Sequence, residues 1–223
     1  ATDYALAVNA GQLQLVQRAT DRIIAAERYD PAQPGAAVAA LLPALQHVAA
    51  WERSLALSNP ATAFDMSLVD FDFHSPQLGD GHAPARSTPA FDIEVGGATL
   101  PLGKLTVTNR SKQLLHAILA YYSPDFGVQI LRNEPIGEDG VPVTLWGGDT
   151  IGFTLEPGQN HSIENFKLFV STEQVDDFLL VMPPLSTARV RGIGDVMPVK
   201  IYKNEWFTRN CRVRVTRRLA ATG

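Results

Sequence analysis

Asp70, Asp72 and His74 alternate along the run "MSLVDFDFH", with Asp65 close by, and are the most metal-like constellation in the chain. Alternate residues of a strand project to one face, and mixed carboxylate and imidazole ligands suit a divalent transition metal. Such side chains stand about 7 Å apart along the strand, too far to close on one ion without a ligand from elsewhere. A polar outer face on a half-buried strand accounts for the same pattern. The three residues are therefore weak candidates, and no metal or other cofactor is assigned. "GEDG" (Gly137–Gly140) and "GGD" (Gly147–Asp149) lack the ligand spacing of a calcium loop and read as turns.

Cys211 is the only thiol. It falls in phase with Val213 and Val215, while Arg212 and Arg214 point the other way, so it reads as a small apolar residue on the buried face of a strand. A catalytic thiol needs a base and an electropositive, accessible setting. The chain has no G-x-S-x-G, Walker A or G-x-G-x-x-G motif, and "GIGDV" at Gly192–Val196 offers only a G-x-G start. His47 lies beside the apolar stripe of a helix, and His116 lies within "LLHAILAYY"; both read as packed or hydrogen-bonded histidines. Trp51, Trp146, Trp206, Tyr121 and Tyr122 could fill a core or form a recognition surface. The candidate partner-binding residues are Trp146, Tyr121, Tyr122, Arg189 and Arg191, and no catalytic residue is assigned.

Net charge is −4 and the pI about 5.7, which argues against a nucleic-acid binder. Basic residues gather near the C-terminus (Lys200, Lys203, Arg209, Arg212, Arg214, Arg217, Arg218), where a solvated strand face is favoured over an anion-binding patch. One cysteine excludes an internal disulfide framework and fits a reducing compartment. No apolar run approaches a membrane span and no signal peptide is visible, so a cytoplasmic location with no membrane partner is expected.

Elements that would position these residues follow from periodicity. Tyr4, Leu6 and Val8, then Leu13 and Leu15 across "NAG", predict an N-terminal hairpin. "RATDRIIAAERYDPAQPG" reads as a charged connector. A helix of about 20 residues, roughly Ala36 to Leu57, carries the stripe Val38, Leu41, Leu42, Leu45, Val48, Ala49, Trp51 and Leu55, with Pro43 expected to kink it. "SNP" stops it. Beyond Phe64, short alternating runs at about ten-residue spacing predict an antiparallel β-sandwich, with "EPGQ" (Glu156–Gln159) as a type II turn and "TNRS" as a hairpin or corner. The fold class is mainly β. Residues 1–60 pack as hairpin, connector and helix on a sandwich formed by residues 61–223. In "KLFVSTEQVDDFLL", Lys167 to Val170 reads as a strand buried on both faces; Ser171 and Gln174 form a capping box for a short helix that Asp176 and Asp177 begin.

The order "HVAAWERSLALSNP", "LTVTNRSKQLLHAILAYYSPDFGVQIL", "LEPGQ", "FKLFVSTEQVDDFLL" and "WFTRNCRVRV" resembles the accessory β-sandwich region C-terminal to the caspase-like, metacaspase-type peptidase domain of bacterial proteins. The match runs from about Asp3 to Leu219, and the strand followed by "STE" is its most specific part. The resemblance implies a non-catalytic domain that docks a protein partner or substrate, or regulates the upstream caspase-like domain. The family's catalytic His and Cys belong to that upstream domain, so none is carried onto this chain. The alternative is a stand-alone β-sandwich binding or structural protein acted on by a protease. The loops Ser75–Ala90 and Pro183–Lys200 are expected to face the partner. The oligomeric state is left open.

Overall fold

Tyr4, Leu6 and Val8 alternate along β1 (Tyr4–Asn9), and Leu13 and Leu15 along β2 (Gln12–Gln17). The two-residue turn between them places Ala10 and Gly11 at φ 48° and 73°, the twist a tight hairpin requires. A computed structural model describes residues 3–78, 83–84, 91–96, 100–145, 150–175, 180–186 and 205–218. It extends the predicted hairpin into a three-stranded meander, because the expected connector contains β3 (Arg22–Arg28). Two features hide that strand in the sequence. Ile23, Ile24, Ala25 and Ala26 do not alternate with polar residues. The β2/β3 pairing also slips between Leu15 and Val16, which exchanges the faces of the side chains.

Helix α1 spans Pro34–Ala56, with Pro34 in its first turn, where the missing N–H has no partner to lose. It continues through Pro43 without being split. Its buried row is Ala37, Leu41, Ala44, His47, Val48 and Trp51, whereas Val38 and Leu42 of the expected stripe remain exposed. The contact face is rotated toward alanines, which let the helix approach its neighbours closely.

Downstream come β4 (Val69–His74), β5 (Ala83–Pro84), β6 (Phe91–Val95), β7 (Leu102–Asn109), β8 (Leu115–Tyr122), β9 (Val128–Ile136), β10 (Val143–Thr144), β11 (Ile151–Gly152), β12 (His161–Ser171) and β13 (Trp206–Arg217). One sheet runs β10-β7-β4-β5, with β11 also on β7; the other runs β6-β13-β12-β8-β9. Pairing is antiparallel except for β6 with β13. The two sheets close on Val69, Phe71 and Phe73 of β4, Leu105 and Val107 of β7, and Leu115, Leu119, Phe166, Leu168 and Val213 of the larger sheet. Its opposite face carries Ile118, Ala120, Tyr122 and Phe169, which pack under Leu15, Leu41, Val48 and Trp51. The larger sheet is thus a middle layer between the smaller sheet and the unit of meander and helix. Every residue from Phe166 to Ser171 is buried, the two-faced burial read from "KLFVS".

Two turns follow the sequence reading. Asn109 is buried at the "TNRS" corner. Its Nδ2 donates to the carbonyls of Gln113 (2.9 Å) and Ile136 (3.2 Å), and its Oδ1 accepts from Ser111 N (2.9 Å) and Oγ (2.6 Å). In "EPGQ", Gly158 takes φ 85° and the Gln159 N–H reaches Glu156 O at 3.0 Å. After β12 the expected capping box differs: Ser171 Oγ accepts from Glu173 N at 3.1 Å, and residues 172–175 are not helical. The rest of that expected helix, 176–179, lies outside the described residues. Among the described residues no helix is long and apolar enough to cross a membrane.

Candidate functional site

Along the first half of β12, His161, Ile163 and Asn165 share a face with Lys167 and Phe169 but lie beyond the end of α1. They form the floor of a cleft of about 380 Å³, within the size range of ligand sites. Its walls come from Gln17, Thr20 and Arg22 of the meander, Trp51, Glu52 and Leu55 of α1, and the turn at Pro124 and Phe126. Arg212 enters from β13, where register sets it opposite Asn165.

The walls are held by buried polar contacts. Trp51 Nε1 donates to Gly127 O at 3.1 Å, and His47 Nε2 hydrogen-bonds Phe126 O at 2.9 Å. These bonds pin a turn in which Phe126 has φ 64°. Arg22 Nη1 donates to Pro124 O at 2.5 Å, and the Tyr4 hydroxyl donates to the Glu52 carboxylate. Burial, then the neighbouring Glu52, pushes the Tyr4 hydroxyl above its ordinary range, so it stays a donor. The cleft therefore presents fixed polar groups of both signs around a Trp51 wall.

Beside it, Lys167 is fully buried. Its Nζ donates to the carbonyls of Ser54 (3.1 Å), Leu55 (2.5 Å) and Leu57 (2.5 Å) at the end of α1, and lies 5.2 Å from the Phe169 ring centroid. A cation is favourable at a helix C-terminus, where last-turn carbonyls lack intrahelical donors. Burial opposes the charge and pushes the amine down to about 7. Lys167 fastens the helix to the middle sheet at the cleft's inner end.

The residues proposed from sequence are scattered. Asp70 pairs with Arg110, and His74 hydrogen-bonds Thr106 Oγ1 at 3.1 Å, both on the outer face of β4. Among the described residues no group of three His, Cys, Asp or Glu could hold a metal ion. Cys211 is buried between the sheets, and burial pushes its thiol well above the ordinary range, which disfavours the nucleophilic thiolate. His116 is half-buried against a small apolar hollow with Phe169, Leu180 and Trp206.

Tyr122, expected to face a partner, is instead in the core against Trp51, with its hydroxyl on Ser54 Oγ at 2.7 Å; burial pushes that hydroxyl up to about 12. It is withdrawn from the surface because β8 sends alternate residues to two covered faces. Tyr121, its neighbour, lines a separate opening of about 210 Å³ with Phe166 and Glu164. Trp146, Arg189 and Arg191, and the loop ranges 79–82, 85–90 and 187–200, lie outside the described residues. Of the C-terminal basic residues, Arg209 donates to Met66 O (2.8 Å), Arg214 pairs with Asp92 (3.5 Å) and Arg217 donates to Gln159 O (3.1 Å).

Arg22, Glu52, His161 and Asn165 were not singled out from sequence, and Arg212 was read only as part of a solvated basic strand face, because the five converge only in space. Lys167 did carry a signal: a lysine inside a run buried on both faces needs a partner. No protein-family model matches this chain, and no curated protein matches it.

Proposed function

We propose that this chain is a non-catalytic binding domain that docks a segment of a protein partner in the cleft between the meander, α1 and β12. The observation that carries this reading is the cleft itself: about 380 Å³, walled by the meander, α1 and the larger sheet, and lined by fixed polar groups around Trp51. A wall assembled from rigid strands and a helix is preorganised, which lowers the ordering cost of binding. The order of segments, with the strand followed by "STE" as its most specific part, supports placing the domain in a caspase-like cysteine-protease protein, as its accessory region for docking or regulation. A stand-alone binding protein would use the same cleft.

Peptides selected by display against the intact chain test the docking reading. Arg212→Glu reverses an exposed charge inside the cleft and is expected to weaken selected peptides by about tenfold or more. Arg214→Glu, two residues along and outside the cleft, is expected to leave them unchanged. Peptides that bind equally well to the Arg212→Glu chain would overturn this site.

A further inference from the structure

The second opening, at one end of the sandwich, contains a buried carboxylate that, among the described residues, is held by neutral donors. Glu164 is only 8% exposed. Its Oε1 accepts from Ser162 Oγ at 2.5 Å and its Oε2 from the Tyr121 hydroxyl. Both donors are neutral, and among the described residues no lysine, arginine or histidine pairs with this carboxylate. An ionised carboxylate offers about four acceptor positions, so two hydroxyls leave it half-filled. Buried charges are ordinarily paired, because desolvation of an isolated ion is strongly unfavourable. Tyr121 stays protonated: burial, followed by the adjacent carboxylate, pushes its hydroxyl above the ordinary range.

What surrounds Glu164 defines the chemistry of a group that would complement it. Tyr121, Phe153 and Phe166 line the same opening, and Tyr121 and Phe166 lie with ring centroids 5.3 Å apart at 31°. Aromatic faces carry negative potential and attract ammonium and guanidinium cations. The volume of about 210 Å³ is below that of drug-sized sites and suits a single side chain or fragment. One carboxylate among aromatic walls is too poor in ligands for a hydrated metal, which needs several oxygen or nitrogen donors. The neutral polar lining is limited to Thr154, backbone and the Tyr121 hydroxyl, which is already engaged by Glu164, too little to reward a polyol over an amine.

We infer that the opening formed by Tyr121, Phe153, Phe166 and Glu164 is a receptor for an alkylammonium group, with Glu164 as its counter-ion and the three rings as its walls. The site is distinct from the polar cleft and does not depend on the reading given to it. Two sources share this chemistry: the side chain of a lysine on a protein, and a free primary amine.

The test is an amide-resolved NMR titration of the intact chain with n-butylammonium chloride, and with n-butanol as the neutral isostere. Ammonium is expected to saturate shifts at Gly152 and Phe166 with Kd about millimolar, at least about tenfold tighter than butanol. Glu164→Gln removes the charge and keeps the shape, and is expected to abolish that preference. Thr154→Lys, at the exposed rim, tolerates folding whatever Glu164 does, and is expected to weaken n-butylammonium by supplying a competing ammonium. Tighter binding of Nα-acetyl-lysine methylamide than of n-butylammonium assigns the site to a protein side chain, and the reverse assigns it to a free amine. Equal binding of amine and alcohol, no shifts with either, or full ammonium preference in Glu164→Gln overturns the inference.

Discussion

Replacing Lys167 by Met probes how α1 is fastened to the middle sheet. Nζ satisfies three carbonyls, of Ser54, Leu55 and Leu57. In the variant, Ser54 O keeps the Leu57 N–H at 3.2 Å and Leu57 O keeps Thr208 Oγ1 at 3.3 Å. Leu55 O loses its donor. One orphaned buried acceptor costs about 1–3 kcal/mol. Met retains most of the apolar stem, so little is lost in packing; Lys167→Ala removes about three more methylenes at about 0.8 kcal/mol each, for a total of about 3–5 kcal/mol. The pH dependence is the sharper signature. The folded amine sits at about 7 against an ordinary 10.5. Between those values the unfolded chain binds the additional proton, so the stability due to Lys167 rises with pH, by about 1.4 kcal/mol per unit. Below about 7 both states are protonated and the dependence vanishes. Urea unfolding of both proteins, followed by tryptophan fluorescence, measures the difference, and titrating groups common to both cancel. The deficit of Lys167→Met is expected to grow by about 2 kcal/mol from about pH 7 to pH 9. A deficit that stays constant or shrinks as pH rises would refute the reasoning, as would a Met variant as stable as the parent at neutral pH.

Two further outcomes follow from the core. Cys211, 1% exposed between the sheets, is expected to react with an aromatic disulfide reagent at least about 10³-fold more slowly in the native chain than in urea, since exposure requires unfolding; comparable rates contradict its placement. At Gly103 an added Cβ would lie 2.5 and 2.7 Å from Phe73 ring atoms and 2.8 Å from Phe153. Gly103→Ala is therefore expected to cost about 1–3 kcal/mol, a fall of roughly 2–4 °C in Tm for each kcal/mol, and an unchanged Tm by calorimetry counts against this packing.

Local patterns determined much of this architecture. Alternation in "VDFDF" and "CRVRV" placed the inward faces of β4 and β13, because a strand has a side-chain period of two. The same arithmetic put Cys211 in the core. The long helix, the Pro-Gly turn at residues 156–159 and the corner at Asn109 were also legible, each from backbone chemistry confined to a few residues. β3 was not, since a register slip and paired isoleucines erase the alternation that marks a strand. Nor did the sequence separate Tyr121 from Tyr122. Both faces of β8 are covered, so polarity alone does not say which face opens at the end of the sandwich and which meets Trp51. The polar cleft and the buried Glu164 carboxylate with its aromatic walls arose only in the tertiary structure. Lys167 shows why: its partner Ser54 lies 113 residues away in the chain. The lysine announced that a buried cation must be satisfied, but the identity of what satisfies it depends on which helix end the middle sheet receives, a consequence of packing that no short window contains.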